Sequence, residues 1–209
     1  MPSLIDETFA ALETNRFKPY LADDTSHAAE IILTEIIPEI APEVVSFGDS
    51  MTLIETGVLD TFRHDPSIGF IDTFEAGVDR ATIIQRRREA LLSDLFLTGS
   101  NALTSDGKLV NLDMVGNRVA GLVFGPTHVI VTIGTNKIVP DVNAAVKRIR
   151  EVSAPLNAQR HNSKTPCAKT GKCMRCKSPD RICNVWTITE KSWPAERIRV
   201  VLIDQELGL

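Results

Sequence analysis

Apolar residues recur along the chain at two spacings, one helical and one strand-like, that take turns. Ser3 to Phe17 and Ser26 to Ile40 carry the helical spacing, the second with Ala29, Ile32, Leu33, Ile36 and Ile40 on one face, and Pro42 closes it. Val44 to Gly48 is a short apolar run that predicts a buried strand. The turn Gly48-Asp49-Ser50-Met51-Thr52 leads from it into a helical stretch through Leu59 to His64, and Ile68 to Asp72 is a further short strand. Ala81 to Leu97 reads as a helix striped by Ile84, Leu91, Leu92, Leu95 and Phe96. That leaves Arg86, Arg87 and Arg88 on the solvated side as a solubility feature.

From Gly99 to Gly125 the chain is polar and rich in turns, and Thr104 to Lys108 joins two short extended runs as a hairpin would. Gly116-Asn117-Arg118 opens a helix through Phe124. His128 to Gly134 is apolar on both sides, as a strand of a covered parallel sheet is. Pro140 begins a helix over Asp141 to Val152, an irregular stretch follows, and strands return at Val185 to Thr189 and Arg199 to Ile203. Strands alternating with helices predict an α/β fold, an open and mostly parallel sheet with flanking helices. The expected layout is a single domain over 1–209, with helices within 1–40 and a cysteine-rich loop at 160–184.

Composition narrows the function classes. A hydrophobic content of 43% supplies a core, and a net charge of −4 gives no reason to expect nucleic-acid binding. The opening residues lack a basic region followed by an apolar run, and no segment is apolar for long enough to span a bilayer. These features point to a cytoplasmic protein. The apolar N-terminal helices allow a homodimer.

All four cysteines, Cys167, Cys173, Cys176 and Cys183, fall in one short segment, TPCAKTGKCMRCKSPDRIC. Thiolates repel one another unless a cation binds between them, so a metal centre is the leading reading. The spacing is Cys-x5-Cys-x2-Cys-x6-Cys, with one short knuckle where zinc sites usually have two, which tilts the choice toward a 4Fe-4S iron–sulfur cluster. A zinc ion that only pins the loop and, more weakly, disulfides remain open. Lys164, Lys169, Lys172, Arg175, Lys177 and Arg181 surround the thiols against one acid, Asp180, and would stabilise an anionic centre or draw in an acidic partner. His161, just ahead of the segment, reads as a surface residue.

Ligands of open α/β sheets sit beyond the carboxyl ends of strands. Two turns suit that place: Gly48 to Thr52, with Ser50 and Thr52, and Gly99-Ser100-Asn101. Each joins a glycine, which lets backbone amides approach an anion, to hydroxyl or amide side chains. Ser50 and Thr52 also fit plain helix capping. Lys137, after a strand end, and Arg118 are candidate countercharges for a small carboxylate or phosphate. Asn117 and Arg118 read equally as a helix cap and a surface ion pair. Asp113 and His128 are weak candidates for a general base.

Three blocks, GSNALTSDGKLVNLDMVGNRVAGLVFGPTHVIVTIGTNKIV, HNSKTPCAKTGKCMRCKSPDRICN and RIRVVLIDQELGL, resemble the lactate-utilisation (LUD-domain) family. The resemblance implies a fold of the NagB/RpiA/CoA-transferase type. It also implies a small-molecule pocket shaped by the positions that match Gly99, Ser100, Asn101, Asp106, Gly107, Val110, Asn111 and Gly116. Family members belong to iron–sulfur systems that oxidise L-lactate to pyruvate, and the domain also stands alone in proteins of unknown activity. Larger relatives carry separate ferredoxin-like cysteine motifs, whereas the only cysteines here are inserted within the domain. There is no dinucleotide fingerprint of the Gly-x-Gly-x-x-Gly kind and no obvious flavin site.

Two functions follow as expectations. One is an iron–sulfur redox or accessory subunit in L-lactate or other hydroxy-acid oxidation, working with iron–sulfur or lactate-oxidation partner proteins. The other is an isomerase- or transferase-like enzyme, or a ligand-binding regulator, with a structural zinc.

Overall fold

The computed structural model describes residues 2–209. Helix α1 (Leu4–Thr14) opens on a capping box in which Ser3 and Asp6 satisfy each other's backbone amides. Strand β1 (Lys18–Ala22) follows and has no counterpart in the sequence reading, because its KPYLA pattern neither alternates nor runs apolar. It is an edge strand, where Pro19 costs no ladder bond. Helix α2 (Thr25–Ile31) passes through a π turn at Ile32–Ile36 into α3 (Ile37–Ile40). The widened turn frees the carbonyl that Pro38 cannot pair, so the proline sits inside a continuous helix.

Strand β2 (Val44–Phe47) leads into α4 (Met51–Glu55) and α5 (Val58–His64), parted by Gly57 at φ +72°, a conformation that suits glycine. After β3 (Gly69–Ile71), α6 (Arg80–Glu89) ends in a single tight turn at Ala90–Leu92, and the chain enters β4 (Leu95–Gly99), buried along its whole length. The expected helix from Ala81 to Leu97 is therefore helical only to Leu92, and its last three residues begin a central strand. A short, wholly apolar run fits both periods, and Ser93-Asp94 is the punctuation that separates them. The Asp94 carboxylate accepts from the Glu43 and Val44 amides and ties the start of β4 to β2, while Leu92 stands 87% exposed.

Strands β5 (Ala102–Thr104) and β6 (Leu109–Asp113) form the expected hairpin, and α7 (Asn117–Val123) and β7 (His128–Gly134) lie close to their expected bounds. After β8 (Ile138–Val139), helix α8 (Val142–Arg148) runs through a second π turn, Ile149–Ser153, into α9 (Ala154–Arg160). The helix expected to stop at Val152 thus continues over two more turns. Its wide turn precedes Pro155 as the first precedes Pro38. The short helix α10 (Pro166–Thr170) begins the cysteine segment, and β9 (Val185–Thr189) and β10 (Ile198–Ile203) end the elements.

Six parallel strands make the main sheet in the order β1-β10-β7-β4-β2-β3, and β8-β5-β6-β9 make a smaller one beside it. Apolar clusters cover both faces of the main sheet, one around Ile32, Phe47, Leu53 and Phe62, the other around Leu12, Phe96, Leu122 and Val131. A third joins the small sheet to α8. The chain leaves β2 toward β3 on one side and β4 toward β7 on the other, so the loops after β2 and β4 diverge. A crevice opens at their carboxyl ends, the place where α/β sheets bind ligands.

Candidate functional site

A cleft of about 620 Å3 occupies this switch point. Seven of the eight residues proposed as ligand contacts line it: Ser50 from the loop after β2, Gly99, Ser100 and Asn101 after β4, Asn117 and Arg118 from α7, and Lys137 after β7. Gly99 has no room for a side chain, because a Cβ there would strike the Ser50 side chain and approach the Thr132 carbonyl. That close contact draws the two loops together.

Thr52, the eighth, lies beneath the cleft, wholly buried. Its hydroxyl accepts from Lys137 Nζ at 2.8 Å and donates to the Leu207 carbonyl at 3.3 Å. It positions the lysine. Lys137 is itself 4% exposed, and burial, joined by the charges of Arg148 and Arg118 and opposed by Glu55, lowers its pKa to about 8. The closing segment Leu207–Leu209 forms the adjoining floor, with Leu207 N donating to Asn136 and Leu209 lining the cleft.

Arg118 is 8% exposed and makes no surface ion pair. Its two terminal nitrogens donate to the Gly99 carbonyl, Asn111 Oδ1, Asn101 Oδ1 and the Leu112 carbonyl at 2.7–3.0 Å. Every one of these acceptors is neutral. The guanidinium therefore knits β4, β6 and the Asn101 turn together and leaves positive charge behind the cleft wall. Because Asn101 Oδ1 also accepts from Leu112 N, its orientation is fixed, and its amide nitrogen finds no acceptor among the described residues. Ser50 caps α4 through Leu53 N while facing the cleft, and Ser100 donates to the Ala102 carbonyl.

Asp113 takes the amides of Met114, Arg118 and Val119 and so caps α7. His128 stands at the amino end of β7, the far end from the cleft, beside Arg199. Two further groups complete the lining. The continuation of α9 past Pro155 brings Asn157, Arg160 and His161 to the opening, where Arg160 and His161 both bond the Asp49 carboxylate. Burial alone would raise the Asp49 pKa, but the hydrogen bonds from His161 and Arg160 and the arginine's charge outweigh it and hold the group at about 2. Arg80 and Arg87 of α6 line the other side, so the arginine run is not wholly solvated: Arg87 stacks on Phe74 at 4.9 Å, and Arg86 pairs with Glu75. The signal for the α9 residues was Asn157 and Arg160 one turn apart, hidden by the proline ahead of them.

The cysteine segment forms one wall of the cleft through Lys164, Pro179, Asp180 and Ile182. Behind that wall all four thiols, none of them in a disulfide, face one small cavity of about 20 Å3, and Ile182 lines both spaces. Arg181 holds the loop by donating to the carbonyls of Cys176 and Cys183. Among the described residues no three of His, Cys, Asp or Glu are gathered closely enough to hold a single metal ion. Also among them, no helix is long and apolar enough to cross a membrane.

No curated protein matches this chain. A crystal structure of a DUF162-family protein from Deinococcus radiodurans at 1.70 Å resolution shares the fold, with a TM-score of 0.52, 15% identity and 96% of each chain covered. The sequence model of the LUD domain matches residues 5–203, nearly the whole fold described above, and the chain belongs to the LUD-domain family.

Proposed function

We propose that the protein serves the oxidation of L-lactate or a related hydroxy acid as an iron–sulfur redox or accessory subunit. The observation that carries this reading is the shared wall: Ile182 separates a cleft fitted for a small carboxylate from a cavity that four thiols face. In the cleft, Lys137 supplies the countercharge, the Ser50 hydroxyl and the free amide of Asn101 supply donors, and Arg118 supplies a fixed positive field.

The donor set suits a four-thiolate centre. A cubane binds each thiolate through a different iron, and here four cysteines, none of them in a disulfide, border one cavity. Cys167, Cys173, Cys176 and Cys183 would hold it, and it would take or pass single electrons to a partner protein. The basic residues around the loop favour an acidic partner. Zinc is the second reading, favoured by the 20 Å3 between the thiols, which is room for an ion and requires the loop to move outward for a cluster.

Purification without oxygen, with iron, sulfide and zinc counted per chain, tests the centre. A brown protein whose iron and sulfide vanish in Cys173→Ser supports the redox reading, and colourless protein with one zinc replaces it. Calorimetric titration with L-lactate and pyruvate tests the cleft, where Lys137→Met is expected to weaken binding at least tenfold.

A further inference from the structure

The cleft is larger and more cationic than a three-carbon acid requires. At about 620 Å3 it falls among pockets of about 300–1,000 Å3 that enclose drug-sized ligands. Arg80, Arg87, Arg118, Lys137, Arg160 and Lys164 line it against Asp49, Asp113 and Asp180. Most of these charges are already engaged. Asp49 is bonded to Arg160, Asp113 caps α7, and the terminal nitrogens of Arg118 are filled by neutral acceptors.

Among the cations left unengaged, Arg80 and Arg87 share one helix. Neither forms a hydrogen bond or an ion pair with any described residue, although their neighbour Arg86 is paired with Glu75 and with the Asp72 carbonyl. They lie seven residues apart on α6, hence on one face, about 10 Å apart along the axis. The Arg87 guanidinium lies over the Phe74 ring at 4.9 Å, and Phe74 in turn packs on Phe47 at 5.6 Å. Its Nε is buried without a partner. An arginine held by ring stacking instead of by acceptors keeps its planar fork of donors free and oriented, which is the arrangement that binds a phosphate through two parallel hydrogen bonds.

We infer that the cleft takes a phosphorylated acid, a hydroxy or keto acid whose carboxylate lies at Lys137 and Asn101 and whose phosphate lies between Arg87 and Arg80 at the α6 side. This rests on the reading of the cleft as a carboxylate site and adds a second anionic end to its ligand. The two ends are held differently: the inner by a buried lysine and a fixed amide at strand termini, the outer by two arginines on one helix face.

Calorimetric titration with 3-phospho-D-glycerate, D-glycerate and inorganic phosphate separates the two claims. Phosphoglycerate is expected to bind at least tenfold more tightly than glycerate. Arg87→Ala and Arg80→Ala should each remove most of that increment while changing glycerate affinity less than twofold, and Lys137→Met should weaken both acids. Arg87→Gln, with circular dichroism as the check on folding, repeats the test without loss of side-chain bulk. Equal binding of glycerate and phosphoglycerate, or an increment that survives in the Arg80→Ala/Arg87→Ala double variant, overturns the phosphate subsite and leaves the carboxylate site standing. Absence of binding by all three probes overturns both.

Discussion

The cleft and the cysteine loop are neighbours built on opposite terms. The cleft is made where strands end, so its groups are fixed by the sheet: Arg118 joins three segments, Thr52 holds Lys137, and Asp49 is locked between Arg160 and His161. The loop has one short helix, and its cysteines are only partly buried. Its hydrogen bonds include those from the Arg181 guanidinium to the Cys176 and Cys183 carbonyls. A site of the first kind is organised before its ligand arrives. Under the reading proposed above, one of the second kind would draw its order from what it binds, because metal–thiolate bonds supply free energy that a small apolar core cannot.

The strongest way to break this contrast is to remove Arg118. Arg118→Ala takes one donor each from Asn101 Oδ1, Asn111 Oδ1 and the Gly99 and Leu112 carbonyls, leaving the two amide oxygens only their backbone donors, Leu112 N and Asn101 N. Each net hydrogen bond lost costs about 0.5–1.5 kcal/mol, more to a charged donor. A total loss of about 3 kcal/mol or more in denaturant unfolding is expected, together with loss of ligand binding. Arg118→Lys is expected to rescue little, since one ammonium cannot reach four acceptors set around a planar fork. An alanine variant as stable as the wild type would show that the cleft is not pre-built.

Lys137 gives the next effect, on binding. With its pKa lowered to about 8, the lysine is charged at neutral pH and loses its proton as pH rises through 8. Affinity for a carboxylate is therefore expected to be flat below that value and to fall up to tenfold per unit above it. Lys137→Met should bind weakly and without that slope. Stability moves the other way: the buried charge is disfavoured in the folded state, so the penalty is full below pH 8 and is relieved as pH rises toward the unfolded value near 10.5. Titrations at pH 7 and 9 with wild type and variant check both signs.

Asp49 contributes a somewhat smaller term. Lowering its pKa from 3.8 to about 2 corresponds to about 2 kcal/mol of stability, present above pH 4 and lost as pH falls toward 2. Asp49→Asn should lower stability by about that amount at pH 7 and show no such acid-dependent loss. Urea melts at pH 7, 4 and 3 distinguish this from a pH-independent packing defect.

These residues also show which parts of the molecule were legible in the chain. The ligand turns were, because glycine with hydroxyl or amide residues after an apolar run is a local pattern, and Gly99, Ser100, Asn101 and Lys137 do lie together. The grouping of the cysteines was legible for the same reason, since all four line one small cavity. What stayed hidden depends on context. The strand β4 opens on the short apolar run Leu95 to Leu97, which joined smoothly to the helical period before it, and β1 is an edge strand with no period of its own. The helix expected to stop at Val152 instead passes through a π turn ahead of Pro155, and α9 runs on to Asn157 and Arg160. Arg87 looked like one of three solvated arginines, since no linear pattern shows that Phe74 lies under it. Local chemistry is written in short windows, while the partner that turns a charged residue inward comes from elsewhere in the chain.

The smallest expected effect is the one that tests the contrast from the loop side. Cys173→Ser removes one thiol from the small cavity but touches neither the Arg118 network nor the Thr52–Lys137 contact. In metal-free protein it should change stability by less than about 0.5 kcal/mol, as substitutions away from packed or bonded groups do, and leave glycerate or lactate affinity within twofold. In metal-loaded protein the same change should cost much more, because the loop then loses a ligand. Equal, small losses in both forms would mean that the cysteines contribute no metal-dependent order. A large loss of cleft affinity in the metal-free variant would mean that the wall at Ile182 is coupled to the pocket it borders, so that the two regions form one device.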